Sequence, residues 1–386
     1  MGVAIYYIIL AAVIVFGRLM PQSGKKKKNY IILMAALHAF VSGSRYMLLT
    51  GDLQKYAHTF IILKDKPWFS EDAFSGGRNF LFTWFLKAIN LLTDSDFQIV
   101  LIIIAVFIEI VVAIVIFKHS PSPWLSYLTW NCFGFYVFGF SAIKQSFAMA
   151  FIMLAFLAIM EKKPQKFVFW SVIAGCIHFP AFIFLPSYWI VRRKLTYRSI
   201  ALYVVLVGLI FVFRDNIINL ASDIYYEDIT FTSSNGIGGR FLVMCIILLA
   251  AISVKGMNGQ KFTVAFNTIA IGTAIQMFSG FDNVFTRLAD YYLQMLIILI
   301  PMIFNDFEDE EYPNSSVGYK LFLTPRLRIM SIICLTVILI AFYYFAILSV
   351  EMSQYDDFLN YRFSWEYSRD TWEELVRIIE SANGIQ

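Results

Sequence analysis

An all-α, polytopic integral membrane protein with roughly twelve transmembrane helices and one short re-entrant or interfacial helix is the fold this sequence predicts. Three observations predict it. Of 386 residues, 59% are hydrophobic and only 15% are charged, whereas soluble domains carry about a quarter charged residues. Aromatics make up 18%, with 39 Phe and 21 Tyr, which suits helices that face lipid and end at its interfaces. The basic residues fall in short loops between apolar runs, the distribution of the positive-inside rule. The net charge of +4 therefore points to no nucleic-acid partner.

Taken in order, apolar runs at 3–17, 30–47, 97–117, 124–140, 142–160, 199–213, 240–254, 262–278, 289–304 and 329–349 are expected to span. The first lacks a basic start and a small-residue cleavage site, so it does not read as a signal peptide. Lys25 to Lys28 follow it and place that end in the cytoplasm, with the N-terminus outside. The segment between Lys166 and Arg192 is long for one span and short for two, and His178 and Pro180 interrupt it, since proline disfavours helix at the residue before it. Counting basic loops forward from Lys162, Lys163 and Lys166, and backward from Lys320, Arg326 and Arg328, agrees only if 167–191 is a hairpin. His178 then lies near its outer tip. Segment 80–92 is short and carries Thr83, Lys87 and Asn90 at helical spacing, and it is read as the interfacial or re-entrant element on the outer side. A polytopic unit over 1–350 is followed by a polar tail, 351–386, outside the membrane. In that tail Thr371 and Glu374 suggest a capping box, and Trp372, Leu375, Val376 and Ile379 form one apolar face.

Chemistry is sought on the outer side, where basic residues are disfavoured and need a reason. Five are placed there: Arg45, Arg78 after Gly76-Gly77, Lys144, Arg240 after the 235–239 glycine loop, and Arg287. Four stand at expected helix N-termini, where free N–H groups and the helix dipole favour an anion. One arginine at a membrane edge is commonly an interface anchor. A set of five at the outer face suggests a bound polyanionic head group. His178 beside Pro180 is a candidate base, because irregular backbone at membrane depth lines cavities; a hydrogen-bonded structural histidine is the plainer alternative. Asp52, Asp282 and Asp290 are further outer-side carboxylates. The acidic run from Asn305 to Glu311 reads as a solvated cytoplasmic linker. Cys132, Cys176, Cys245 and Cys334 all lie in apolar stretches and read as buried hydrophobes. No metal motif is evident and no cofactor is expected.

Four pieces then look familiar. They are Arg45-Tyr46 with Gly51-Asp52 and Tyr56; Phe140 through Lys144-Gln145-Ser146; Cys176 through His178 to Ala181, continuing to Leu185-Pro186; and Thr286-Arg287-Leu288 with Tyr291-Tyr292. In this order they resemble the EpsG family of bacterial exopolysaccharide polymerases, relatives of the Wzy-type O-antigen and capsule polymerases, across most of 1–304. Lys144 stands where the family usually has Arg, which replaces a bidentate grip by a point charge. Arg78-Asn79 stands where a Glu-Pro pair is usual.

The resemblance implies a GT-C-like polymerase architecture in the bacterial cytoplasmic (inner) membrane with its active site facing outside. It implies a glycosyltransferase that joins undecaprenyl-pyrophosphate-linked repeat units without a metal. The lipid bilayer, the lipid-linked donor and acceptor, and a chain-length regulator or flippase would be its partners. His178 or Asp52 would be the catalytic base, and Arg45, Lys144, Arg240 and Arg287 would hold pyrophosphate. Arg78, Tyr46, Tyr56, Gln145 and Tyr291 would contact the rest of the substrate. Two other readings compete: a flippase or exporter of lipid-linked glycans, and a membrane O-acyltransferase acting on a surface polysaccharide. Basic residues at the outer edge and the absence of evident repeats speak against the exporter. A His at the outer end speaks against the acyltransferase, whose donor arrives from the cytoplasm.

Overall fold

The computed structural model describes residues 4–74, 77–93, 96–213, 216, 239–255, 259–280, 283–305, 325–351, 361–366 and 369–382. These residues are helical with no strand, and one isolated antiparallel bridge pairs Arg45 with Phe363. The first part of the chain forms α1 (Ala4–Leu19), α2 (Lys27–Gly43), α3 (Gly51–Ile62), α4 (Glu71–Phe74), α5 (Phe80–Thr93) and α6 (Phe97–His119). The middle forms α7 (Pro123–Cys132), α8 (Phe135–Phe138), α9 (Ile143–Met160), α10 (Pro164–Ile177), α11 (Ser187–Val191) and α12 (Tyr197–Val212). The last part forms α13 (Gly239–Lys255), α14 (Gln260–Gln276), α15 (Asn283–Leu293), α16 (Leu296–Phe304), α17 (Pro325–Glu351) and α18 (Arg369–Ala382).

Three of these are long and apolar enough to cross a membrane: α6, α9, and α14 with its 3₁₀ extension to Gly280. The pair α15 and α16, bent by 56°, makes a fourth if it is one span. Six further apolar helices run 10–17 residues. By length and composition, then, the described residues hold fewer full-length spans than the roughly twelve crossings expected from hydropathy. Part of the difference lies in apolar helices shorter than a full span, and part where an unbroken apolar run conceals a break in the helix. The expected span 124–140 is α7 and α8, parted at Gly134, and 289–304 contains the bend between α15 and α16. At the centre, every residue of α7 and all but the last of α16 are buried. Around them α2 lies on α6, α6 on α9, and α9 on α10.

The segment after Lys166 doubles back. Phe167, early in α10, meets Phe184 and Tyr188 at ring separations of 6.1 and 5.4 Å. A Cβ on Gly175 would overlap the Phe182 ring, so the two arms approach as closely as only glycine permits. Ala174 O accepts from the His178 N–H at 2.8 Å and ends α10, and Pro180 opens the 3₁₀ turn Phe179–Phe184. His178 thus occupies the tip, as the sequence predicts. The return arm is tied down by Asn267, whose Nδ2 donates to Val191 O and Arg193 O, each at 2.9 Å.

The polar stripe of α5 faces inward. Thr83 Oγ1 donates to Ala73 O at 2.6 Å, Asn90 Nδ2 to Phe60 O, and Lys87 Nζ to Leu63 O and Lys64 O at 2.7 and 2.9 Å. Lys87 therefore places its charge on the last carbonyls of α3, where the helix dipole favours a cation. Leu91 and Leu92 at the end of α5 are exposed, while Phe82 and Leu86 are buried beside the polar stripe. Lys87→Met should cost about 2–3 kcal/mol, the value of charge-assisted hydrogen bonds lost together with their buried acceptors. The check is a lowered melting temperature of the purified protein; an unchanged one would show that α3 holds without this tether.

The C-terminal residues pack on the body at the end of α2 away from its lysines. Tyr46 N donates to Arg362 O and Ser364 N to Ser44 O, both at 2.8 Å. Tyr361 Oη reaches Val41 O at 2.7 Å, and Trp372 of α18 stacks on Phe97. Helix α18 already runs from Arg369, so Thr371 lies within it and is not its N-cap; the expected capping box is corrected. The 235–238 glycine loop, Gly76, Asp282 and the acidic run at 306–311 lie outside the described residues. Elsewhere Lys118 and Lys163 clasp Glu161 at 2.6 and 2.7 Å, and their hydrogen bonds hold its carboxyl down to about 2.

Candidate active site

The hairpin tip, the start of α9 and the helix α15 converge. His178 Nδ1 shares a hydrogen with the Tyr291 hydroxyl. Tyr291 is fully buried, so the imidazole is oriented from below by a group that cannot swing away. Lys144, the second residue of α9, and Arg287, on the second turn of α15, both act electrostatically on the imidazole. Neither Lys144 nor Arg287 has an ion pair among the described residues, whereas Arg240 does. Arg240 Nη2 meets Asp290 Oδ1 at 2.6 Å, and both are largely buried.

Neighbours fix these groups in place. Gln145 Nε2 donates to Arg287 O at 2.7 Å, joining the first turn of α9 to α15. Asn79, at φ 58° in the turn before α5, accepts the Phe179 N–H on Oδ1 at 2.8 Å and so pins the hairpin tip. An asparagine tolerates that left-handed backbone better than most residues. Arg78 beside it lies 5.6 Å above the Phe179 ring. On the other flank Thr50 caps α3 by accepting the Leu53 N–H at 3.3 Å, which sets Asp52 in the first turn. Tyr56, one turn on, lies under Lys144 Nζ at 6.0 Å. Burial, then the Asp52 carboxylate, raises its phenol to about 12. Asp52 Oδ2 is 3.5 Å from Ser141 Oγ.

The structure thus groups His178, Tyr291, Lys144, Gln145 and Arg287, with Arg240 and Asp290 on one side and Asp52 and Tyr56 on the other. Three placements differ from those expected. Arg45 is 1% exposed and spends its donors inside the protein. Its Nε donates to Phe140 O at 3.2 Å, Nη2 to Gly139 O at 3.1 Å, and Nη1 to Ser42 O and to Ser42 Oγ. These bonds make Arg45 a tether for the turn that launches α9. The Tyr46 backbone N–H donates to Arg362 O of the C-terminal segment. Arg287 also does not open its helix: α15 begins four residues earlier. Asn79 is the site residue that the sequence reading missed. Its signal was present in the Gly-Gly-Arg-Asn run, a turn sequence before a helix.

Chemically the cluster offers an imidazole flanked by two cations that make no ion pair among the described residues, with carboxylates nearby. Among the described residues no group of three or more His, Cys, Asp or Glu could hold a metal ion. No curated protein and no solved structure matches this chain. A family model does: the EpsG family model aligns with residues 28–363, most of the chain and every residue of the cluster. The chain belongs to the EpsG family, a family of exopolysaccharide polymerases.

Proposed function

We propose that this protein is the glycosyltransferase that joins undecaprenyl-pyrophosphate-linked repeat units on the outer face of the bacterial cytoplasmic membrane. It would cross that membrane about twelve times, with the body at 1–350 and the packed tail at 351–386. The observation that carries the reading is the His178 imidazole, hydrogen-bonded to Tyr291 and flanked by Lys144 and Arg287, which make no ion pair among the described residues. An acceptor sugar hydroxyl attacks the anomeric carbon of the donor glycan. The carbon–oxygen bond to the lipid pyrophosphate breaks, and the new glycosidic bond forms. His178 takes the hydroxyl proton; Asp52, on the far side of Tyr56 and Lys144, is the alternative base. Pyrophosphate leaves as an anion, and Lys144 and Arg287 stabilise the growing charge, with Arg240 held in reserve by Asp290. Tyr56 and Arg78 face the substrate, while Gln145 and Tyr291 position the groups that do. A chain-length regulator or flippase would be its partner.

The test is the surface glycan profile of a strain lacking the gene, complemented by wild type or by His178→Ala. Single repeat units outside the null strain, long chains with wild type, and single units again with His178→Ala are expected. Repeat units trapped on the inner leaflet of the null strain would overturn the reading in favour of an exporter.

A further inference from the structure

Beneath the cluster lies a small, partly enclosed cavity that none of the chemistry above uses. Its wall includes Glu109 of α6, Trp130 of α7, Ser146 of α9 and Gln294 at the bend between α15 and α16. It measures about 20 Å³, on the scale where a single water needs about 10–15 Å³. Three of its wall residues each carry a fully buried polar atom without a protein partner: Glu109 Oε2, Ser146 Oγ and Gln294 Oε1. The residues are 2%, 6% and 0% exposed. Orphaned buried polar atoms are rare and costly, and three around one void of this size point to a shared guest.

The donors and acceptors identify that guest. Trp130 Nε1 donates to Glu109 Oε1 at 3.2 Å, so that oxygen is an acceptor and any carboxyl proton sits on Oε2. No ion pair neutralises Glu109 among the described residues. A bare carboxylate there would carry the full cost of an unpaired buried charge. A hard cation such as calcium takes 6–8 oxygens, and the cavity offers three unpartnered ones. A water closes the set: it accepts from Glu109 Oε2–H and Ser146 Oγ–H and donates to Gln294 Oε1.

We propose that this cavity is a binding site for ordered water held by a protonated Glu109. The water fixes the side chain of Gln294, whose Nε2 donates to Met149 O at 3.1 Å and to Tyr291 O at 3.2 Å. Gln294 is the link between the cavity and the backbone of Tyr291, the partner of His178. Glu109, Ser146 and Gln294 are therefore positioning residues for the bent pair α15–α16. That last step rests on the polymerase reading; the water site does not.

The test uses the full-length protein in lipid nanodiscs. Infrared difference spectra between wild type and Glu109→Gln should show the carbonyl stretch of one protonated carboxyl group, absent from the variant. Ser146→Ala, which removes one hydroxyl from the network, should shift that band without abolishing it. Glu109→Gln, which keeps the shape and a donor, should melt within about 1 °C of wild type. Glu109→Leu, which orphans Trp130 Nε1 and Gln294 Oε1, should melt several degrees lower. Two results would overturn the proposal: no protonated carboxyl lost in Glu109→Gln, or a sodium-dependent rise in melting temperature that Glu109→Gln removes. The spectra do not depend on polymer synthesis, so a failure of the polymerase assignment would leave this result standing.

Discussion

Arg287→Ala is expected to slow glycan elongation by about 10²–10³-fold, the usual loss when one preorganised charge-stabilising group is removed. Arg287 is exposed, and its side chain makes no ion pair among the described residues. Its backbone carbonyl, not its guanidinium, receives Gln145. The variant should therefore accumulate and melt like wild type, and the deficit should be in turnover. Arg287→Lys should recover part of the rate, since a point charge replaces a fork that can grip two phosphate oxygens. The measurement is chain growth from a purified lipid-linked repeat unit in membranes with matched protein levels. Wild-type elongation by Arg287→Ala would remove this residue from the site and leave Lys144 as the one unpaired cation beside His178. Lys144 lies deeper and over Tyr56, so Lys144→Ala gives a second reading of the same electrostatics.

Arg45→Ala should fail differently. Its guanidinium joins α2 to the turn at 139–140 through Phe140 O, Gly139 O and Ser42, and it lies 5.3 Å from the Phe140 ring. Removing it orphans several buried acceptors and empties the space of a large side chain, a loss of about 3 kcal/mol or more. The expected result is less folded protein and a melting temperature lower by several degrees, with activity falling as the folded fraction falls. Arg45→Lys should not rescue it, because one ammonium cannot reach three carbonyl oxygens on two segments. A fully folded, fully inactive Arg45→Ala protein would restore the ligand role that the sequence suggested. The two arginines thus separate cleanly: one variant loses rate at constant stability, and the other loses stability first.

How far each feature was legible follows from what kind of signal carried it. The hairpin was readable because His178-Phe179-Pro180 breaks the helix locally and because the basic loops on both sides demanded a return. The stripe of Thr83, Lys87 and Asn90 was readable as a stripe, but its direction was not. Periodicity states which residues share a face; it does not state whether that face meets water or the end of another helix, and here it meets α3. Helix lengths were blurred in the same way. Hydropathy sums over Gly134 and over the α15–α16 bend without registering that the backbone turns there.

What the sequence by itself determined is the class, the helical runs, the membrane setting, the family and the set of cations and His178 from which a site would be built. These rest on composition, local backbone chemistry and charge placement, all of which act over a few residues. The tertiary structure decided which members of that set act together. It paired Arg240 with Asp290, spent Arg45 on carbonyls, left Lys144 and Arg287 unpaired beside His178, and gathered Glu109, Ser146 and Gln294 around one void. The physical reason is distance along the chain. Tyr291 and His178, Gln145 and Arg287, and Ser146 and Gln294 are each separated by more than a hundred residues. Only the packing of α6, α9, α15 and α16 determines whether a donor finds an acceptor, a charge finds its opposite, or a polar atom is left for water.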